Sequence, residues 1–241
     1  MSPDEELRAL AEEVRACKAC KLYRSRKNAV PGEGPVHSTM MFIGEGPGFH
    51  ENEQGRPFVG AAGKYLDELL AKIGMKRADV FITNVVKCRP PGNRDPEPAE
   101  IQACSGYLDR QIQAINPKII VTLGRFSMAR YMPNAKISAV HGKATRVNGR
   151  LVVAMYHPAA ALHQPALKTA IEQDFLHLPE LIAADRGYPE SRELHQERSA
   201  GSRLADASNP DFLEPKRTES ESAAEKQPPA EKEQPKQLSL F

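Results

Sequence analysis

The sequence predicts an α/β fold whose parallel sheet is covered by helices on both faces. Three observations predict it. Short apolar runs recur at 40–43, 80–83, 118–123 and 151–155, and segments with helical spacing of Leu and Ile lie between them. Each run is followed within two residues by Gly44, Asn84, Gly124 or His157. Strands buried on both faces read as continuous apolar runs, and the intervening helices supply the crossovers that parallel strands require.

The elements follow in order. Ser2, Pro3 and Glu5 make a capping box with proline at the first helical position, ahead of Leu7, Leu10, Ala11 and Val14, so a helix is expected to end at or just before Cys17. A Pro/Gly-rich loop at 31–35 leads into Met40-Met41-Phe42-Ile43, a buried strand stopped by Gly44. Leu66, Leu69, Leu70 and Ile73 keep helical spacing up to Gly74, and Val80-Phe81-Ile82-Thr83 is the next strand. Residues 97–115 suit a helix ended by Pro117; Lys118 to Leu123 is the clearest β-branched run; Leu151 to Met155 is the fourth strand. Leu167, Ile171, Phe175, Leu178 and Leu181 mark a closing helix over 165–184 in spite of Pro179. In an open parallel sheet the site lies beyond the carboxyl ends of the strands, which directs attention to Gly44–Gly48, Asn84–Arg89, Gly124-Arg125 and His157-Pro158.

Charge is divided unevenly along the 241 residues. Residues 187–241 hold 8 Lys+Arg against 11 Asp+Glu, while the whole chain holds 33 against 31, so a body of net +5 precedes a tail of net −3. The tail is rich in Ser, Glu, Lys, Pro and Ala and poor in large apolar residues until its last five positions, a composition that cannot offset the entropy of ordering and predicts disorder. No apolar run approaches the roughly 20 residues of a membrane span. The acidic Asp4, Glu5 and Glu6 do not suit a secretory signal, so a cytoplasmic protein is expected.

In a reducing compartment the four cysteines are ligands, reactive thiols or core residues rather than a disulfide scaffold. They fall as Cys17-x2-Cys20 and Cys88-x15-Cys104, a two-plus-two pattern able to close a tetrahedral zinc site or hold an iron-sulfur cluster. Spacing alone does not choose between them. The run Gly44-Glu45-Gly46-Pro47-Gly48 lets backbone approach a ligand closely, and by itself it is equally a tight strand-to-loop turn. An amide at Asn84, a ring at Phe58 and an imidazole at His157 are residue types able to hold a planar polar ring.

The segments GEGPGFHENEQGRPFVGAAGKYLDELL (44–70), ITNVVKCRPPGNRDP (82–96) and HPAAAL (157–162), together with the four cysteines, closely resemble the family 4 uracil-DNA glycosylases over about residues 4–184. The resemblance implies a three-layer α/β/α sandwich around a four-stranded parallel sheet. It implies a 4Fe-4S cluster on Cys17, Cys20, Cys88 and Cys104, and a monomeric enzyme of base-excision repair that flips uracil out of DNA and hydrolyses its N-glycosidic bond. By match, Phe58 stacks on the base, Asn84 reads its O4 and N3–H edge, His157 donates toward O2, and backbone of Glu45, Gly46 and Pro47 lines the pocket. Other uracil glycosylases carry Asp where Gly46 stands, so Glu45 and Glu51 become the carboxylates available to activate water, and Glu51 could equally crowd C5 and exclude the thymine methyl. The position after Glu51, commonly Asp in the family, is Asn52 here. A crosslinking branch carries a basic insertion with a histidine after the asparagine motif; here CRPPGNRDP follows directly, which implies hydrolysis and turnover.

Phosphate contacts are expected from Lys87, Arg89, Arg94, Lys143, Arg146 and Lys168, with Leu162 a wedge into the vacated stack. The last five residues, Gln237-Leu238-Ser239-Leu240-Phe241, resemble the bacterial sliding-clamp binding peptide, with Gln237, Leu238, Leu240 and Phe241 as its anchors. The expected organisation is therefore a glycosylase domain over 1–186, a linker over 187–236 with a reach of roughly 40 Å, and a clamp-binding peptide over 237–241. This would place the enzyme on clamp-loaded DNA, in the nucleoid. A noncatalytic iron-sulfur adaptor associated with DNA polymerase or the clamp is the alternative.

Overall fold

The computed structural model describes residues 1–186; the linker and the clamp-like peptide lie outside the described residues. Helix α1, Pro3–Ala16, opens as expected: the Glu5 N–H donates to Ser2 Oγ at 3.2 Å and the Ser2 N–H to Glu5 Oε2 at 2.7 Å. It ends one residue before Cys17. Strand β1, Met40–Gly44, is followed by a short helix α2, Phe49–Gln54, and by α3, Ala61–Lys72. Strand β2, Phe81–Asn84, leads to the long α4, Pro98–Ile115, and then to β3, Ile119–Leu123. Two short helices, α5 at Arg125–Ala129 and α6 at Ile137–Val140, precede strands β4, Lys143–Val147, and β5, Arg150–Met155. Helices α7, Pro158–His163, and α8, Leu167–Arg186, close the described chain, and α8 runs through Pro179.

The sheet has five strands in the order β2-β1-β3-β5-β4. Strands β2, β1, β3 and β5 are mutually parallel, and they are the four apolar runs read from the sequence. The expected four-stranded sheet is corrected by β4, which pairs antiparallel with β5 at the sheet edge. Its residues Lys143-Ala-Thr-Arg-Val alternate between exposed and half-buried, so no apolar run announces them. The local signal was the turn. Asn148 and Gly149 both take positive φ (50° and 72°), the geometry of a two-residue hairpin, and Asn-Gly favours that turn. Charged residues suit an edge strand because they discourage pairing with other chains.

Side chains alternate across the strands, and each face of the sheet has its own core. Phe42, Ile82, Val121 and Val153 point to one face, where they meet Leu66 and Leu69 of α3 and Phe175 and Leu178 of α8. Met41, Ile43, Phe81, Ile120 and Val152 point to the other, toward Val14 of α1 and Leu108 of α4. This is the three-layer arrangement. Helices α1 and α4 are tied by Arg110, whose guanidinium donates to Glu6 and to both oxygens of Glu13. No helix among the described residues is long and apolar enough to cross a membrane.

Candidate active site

Parallel register sets Gly44 at the end of β1 directly beside Asn84 at the end of β2. His157 follows β5 by two residues and caps α7. Glu45, Gly46, Pro47, Glu51, Phe58, Asn84 and His157 all line one cavity of about 370 Å³ at this end of the sheet. The seven pocket residues singled out in the sequence are thus brought together by strand ends and the loops leaving them.

Phe58 is held in an unusual backbone conformation, with φ of 51°. Its carbonyl accepts from Arg77 Nη1 at 3.0 Å, and the same guanidinium donates to the carbonyl of Pro57. On the other side Gly63 presses close: a Cβ there would stand 1.9 Å from the Phe58 oxygen, so only glycine fits. The ring is delivered against His157, with centroids 5.4 Å apart and planes inclined by 26°.

His157 Nδ1 accepts from the Ala159 N–H at 3.1 Å. An acceptor at Nδ1 leaves the neutral ring's proton on Nε2. Burial of the ring pushes its pKa down to about 4, with the charge of Glu51 pulling weakly the other way. The imidazole is therefore a neutral donor at physiological pH. Asn84 is 1% exposed, and its Oδ1 has no hydrogen-bond partner among the described residues. Leaving a buried acceptor unpaired costs about 1–3 kcal/mol, a cost that a ligand donor would relieve.

The two pocket carboxylates are differently employed. Glu51 Oε2 accepts from the Gly48 N–H at 3.1 Å, and its Oε1 accepts from the Val59 and Gly60 N–H groups at 2.8 and 2.9 Å. It staples the Gly-rich loop to the segment carrying Phe58. Glu45 has no such bonds among the described residues. Burial first, then the nearby negative charge of Asp95, raise its pKa above the ordinary carboxylate value, against the opposing pull of Arg125. Asn52 is buried and serves the fold: its Oδ1 accepts from the Lys27 N–H at 2.9 Å, and its carbonyl accepts from Asn28 Nδ2 at 2.9 Å.

On the α1/α4 side of the sheet, Cys17, Cys20, Cys88 and Cys104 line a single enclosed pocket. None is in a disulfide. Three of the sulfurs accept hydrogen bonds: Cys17 from the Ala19 N–H at 3.4 Å, Cys88 from Arg26 Nη1 at 3.0 Å, and Cys104 from the Lys87 N–H at 3.3 Å. As free thiols the inner pair resist ionisation, since burial pushes Cys88 up and Cys104 up to about 11. Among the described residues no three His, Cys, Asp or Glu side chains converge closely enough to hold one metal ion.

Residues 31–177 match the uracil DNA glycosylase superfamily. The chain is 50% identical to the type-4 uracil-DNA glycosylase of Sulfurisphaera tokodaii over 196 residues, covering 76% of this chain and 88% of the relative. It is 50% identical to the type-4 enzyme of Saccharolobus solfataricus over 190 residues, 75% of this chain and 88% of that one. Against the type-4 enzyme of Archaeoglobus fulgidus it is 47% identical over 187 residues, 73% and 94% of the two chains. The chain belongs to the uracil DNA glycosylase superfamily.

Within this superfamily member, the residues expected to meet DNA are scattered. Lys87 is corrected outright: it is 1% exposed, its Nζ is spent on internal oxygens, and burial pushes its pKa down to about 7. A side chain with no path to solvent cannot reach a phosphate. Arg89 lies near the cavity rim, its guanidinium 5.4 Å from the Phe49 ring and its Nε donating to Asn93, a cavity-lining residue. Arg94 lines the cavity but grips the buried Glu100 with both terminal nitrogens at 2.9 and 2.7 Å. Leu162 is 50% exposed on α7, beside the lining residues Ala160 and His163. Lys168 sits over the Tyr65 ring. On β4, Lys143 pairs with Ala154 near the cavity end of β5, whereas Arg146 pairs with Leu151 at the opposite end.

Sequence reasoning missed Arg77 and the Asp95 and Arg125 surroundings of Glu45. Arg77 stands 19 residues from the carbonyl it holds, and no local pattern connects the two.

Proposed function

We propose that this chain is a uracil-DNA glycosylase, hydrolysing the N-glycosidic bond of deoxyuridine in DNA and leaving an abasic site. The observation that carries the reading is the unpaired Asn84 Oδ1, buried in a cavity walled by Phe58 and a neutral His157. Oδ1 suits N3–H of uracil, and the amide nitrogen suits O4. Cytosine offers an unprotonated N3 and an amino group at those positions, so both contacts fail, and polar sites reject such mismatches strongly. Phe58 supplies the stacking face for the flipped base.

As the C1′–N1 bond breaks, negative charge gathers on uracil O2. His157 Nε2–H is a preorganised donor for it, and a neutral imidazole keeps its proton while stabilising that charge. Gly46 has no carboxylate, and Glu51 is committed to three backbone N–H groups, so Glu45 is the group assigned to orient water and face the cationic sugar. Arg89 and Lys143 are assigned to DNA phosphates, with Leu162 filling the gap left by the flipped base. Release of free uracil from single-stranded, U:G and U:A oligonucleotides tests the reading. No release by purified, fully loaded protein would favour the noncatalytic adaptor.

The cysteine pocket is assigned a 4Fe-4S cluster. Four sulfurs of one pocket, three with N–H donors that favour thiolate, fit a thiolate-bound group, and the resemblance to the type-4 enzymes makes that group a cluster rather than zinc. Once bound, it would cross-link the end of α1, the loop after β2 and α4. Sulfur-to-iron absorption with iron analysis tests this, and zinc without iron would refute it. Residues 237–241 are assigned to a sliding clamp, through Gln237, Leu238, Leu240 and Phe241. Deleting them is expected to abolish clamp binding and spare uracil release from short oligonucleotides; retained clamp affinity would sink the assignment.

A further inference from the structure

Lys87 is fully buried, and its side chain folds back over the end of β2. Its Nζ donates to Thr83 Oγ1 at 2.6 Å, to the Asn84 carbonyl at 2.8 Å and to Gln111 Oε1 at 2.7 Å. Two of these partners are fixed in turn. Gln111 Nε2 and Thr83 Oγ1 both donate to the Pro31 carbonyl, at 2.7 and 3.0 Å. No carboxylate pairs with Lys87 among the described residues, so the arrangement is not an ion pair buried for its charge.

Its geometry is explained by the sheet edge. Strand β2 is outermost in the order β2-β1-β3-β5-β4. The Val85 N–H donates inward to the Gly44 carbonyl at 3.0 Å, while the Asn84 carbonyl points outward, where no strand follows among the described residues. Two residues earlier the outward groups of Ile82 are met by Glu33. At Asn84 the missing partner is Lys87 Nζ. The peptide between Asn84 and Val85 is thus clamped from both sides, which fixes the backbone angle aiming the Asn84 side chain into the cavity. The same Lys87 donates its own N–H to Cys104 Sγ and passes its carbonyl to the Val30 N–H, so the clamp is anchored in the wall of the cysteine pocket.

We infer that Lys87 is a positioning residue for uracil recognition, supplying at the sheet edge the hydrogen bond that holds Asn84 in reading position. The inference rests on Asn84 reading the base. Burial excludes Lys87 from touching DNA, and of the three groups its Nζ holds only Asn84 lines the cavity, so an effect on uracil recognition is expected to run through Asn84.

The test is a double-mutant cycle in the full-length, iron-loaded protein, with Lys87→Met, Asn84→Ala and the pair. Lys87→Met is expected to lower kcat/KM on uracil DNA about tenfold or more and to weaken inhibition by free uracil by a similar factor. Affinity for uracil-free DNA and iron per chain should not change. In the Asn84→Ala background, Lys87→Met should cost nothing further. Unchanged uracil inhibition, or a loss that simply multiplies in the double variant, would overturn the proposal. If Lys87→Met does not fold, Gln111→Met, which removes one leg of the tripod, should show the same uracil-confined loss in smaller measure; wild-type uracil inhibition there would overturn the proposal too. Full uracil release by Asn84→Ala would overturn the reading of Asn84 and this inference with it, whereas loss in Asn84→Ala beside a wild-type Lys87→Met would overturn the inference alone.

Discussion

Gly44 and Asn84 face each other across paired strand ends so closely that a Cβ on Gly44 would stand 2.4 Å from Asn84 Oδ1. The same Cβ would meet Phe58 Cζ at 2.7 Å. Glycine at this position is what allows the amide and the ring to close over the end of β1 together.

Gly44→Ala is therefore expected to displace both groups while leaving the strand itself intact. A misplacement on the order of 1 Å in such a site costs about 100-fold in rate. Single-turnover uracil release, beside an unchanged far-ultraviolet spectrum, measures it. A wild-type rate would show that Asn84 and Phe58 do not both touch the base.

The acid limb of activity is expected to belong to Glu45. Its pKa lies above the ordinary 4.5, whereas His157 stays neutral down to about 4. Falling pH thus protonates Glu45 first and removes the carboxylate form. The single-turnover rate should decline with falling pH from a point above 4.5, and in a slower Glu45→Gln variant the limb should move down toward 4. Stability has its own sign. The unfolded chain protonates His157 near 6.5 and the folded chain only near 4, so the contribution of His157 to stability is lost as pH falls across that window.

Arg77→Met removes the donors to the Pro57 and Phe58 carbonyls and leaves Glu33 with Arg56 as its remaining cationic partner. The side chain is 20% exposed, so the loss is only partly screened, and about 2–3 kcal/mol of stability is expected to go with it. Denaturant unfolding measures that part. A rise in KM with kcat less affected would report the freed Phe58 loop.

Cys104→Ser is expected to lower the unfolding midpoint and iron per chain before it alters the chemical step. The cysteine pocket lies on the α1/α4 face, and no cysteine lines the cavity at the strand ends. Iron analysis, a thermal melt and the single-turnover rate of the folded fraction separate the two effects. A wild-type melt with a lost chemical step would refute a structural role.

Much of this was legible in the linear sequence, because the signals are local. The four parallel strands announced themselves as apolar runs buried on both faces, and the capping box at Ser2 located the start of α1 to the residue. The edge strand was not legible as a strand, since Lys143 to Val147 carries no apolar run, although Asn148-Gly149 marked its turn. Asn84 and His157 were legible as candidates because they follow strands, where such a sheet places its site, whereas Glu51 and Phe58, away from any strand end, were singled out with the help of the family resemblance. Their employment was not. Glu51 and Glu45 are both acids near Gly46, and only the loop packing decides that Glu51 spends its oxygens on three N–H groups while Glu45 keeps its own.

By itself, then, the sequence determined the layers, the strand ends and the residue types offered there, since periodicity and turn chemistry act over a few neighbours. The tertiary structure alone decided which charges are spent inside. Lys87 lies in a basic stretch and is nonetheless buried, because Gln111, 24 residues on, and Thr83 and Asn84, the last two residues of the strand before it, converge on its Nζ. Arg77 holds Phe58 across 19 residues in the same way. Contacts between distant segments carry no local signature, because they exist only once the layers have closed.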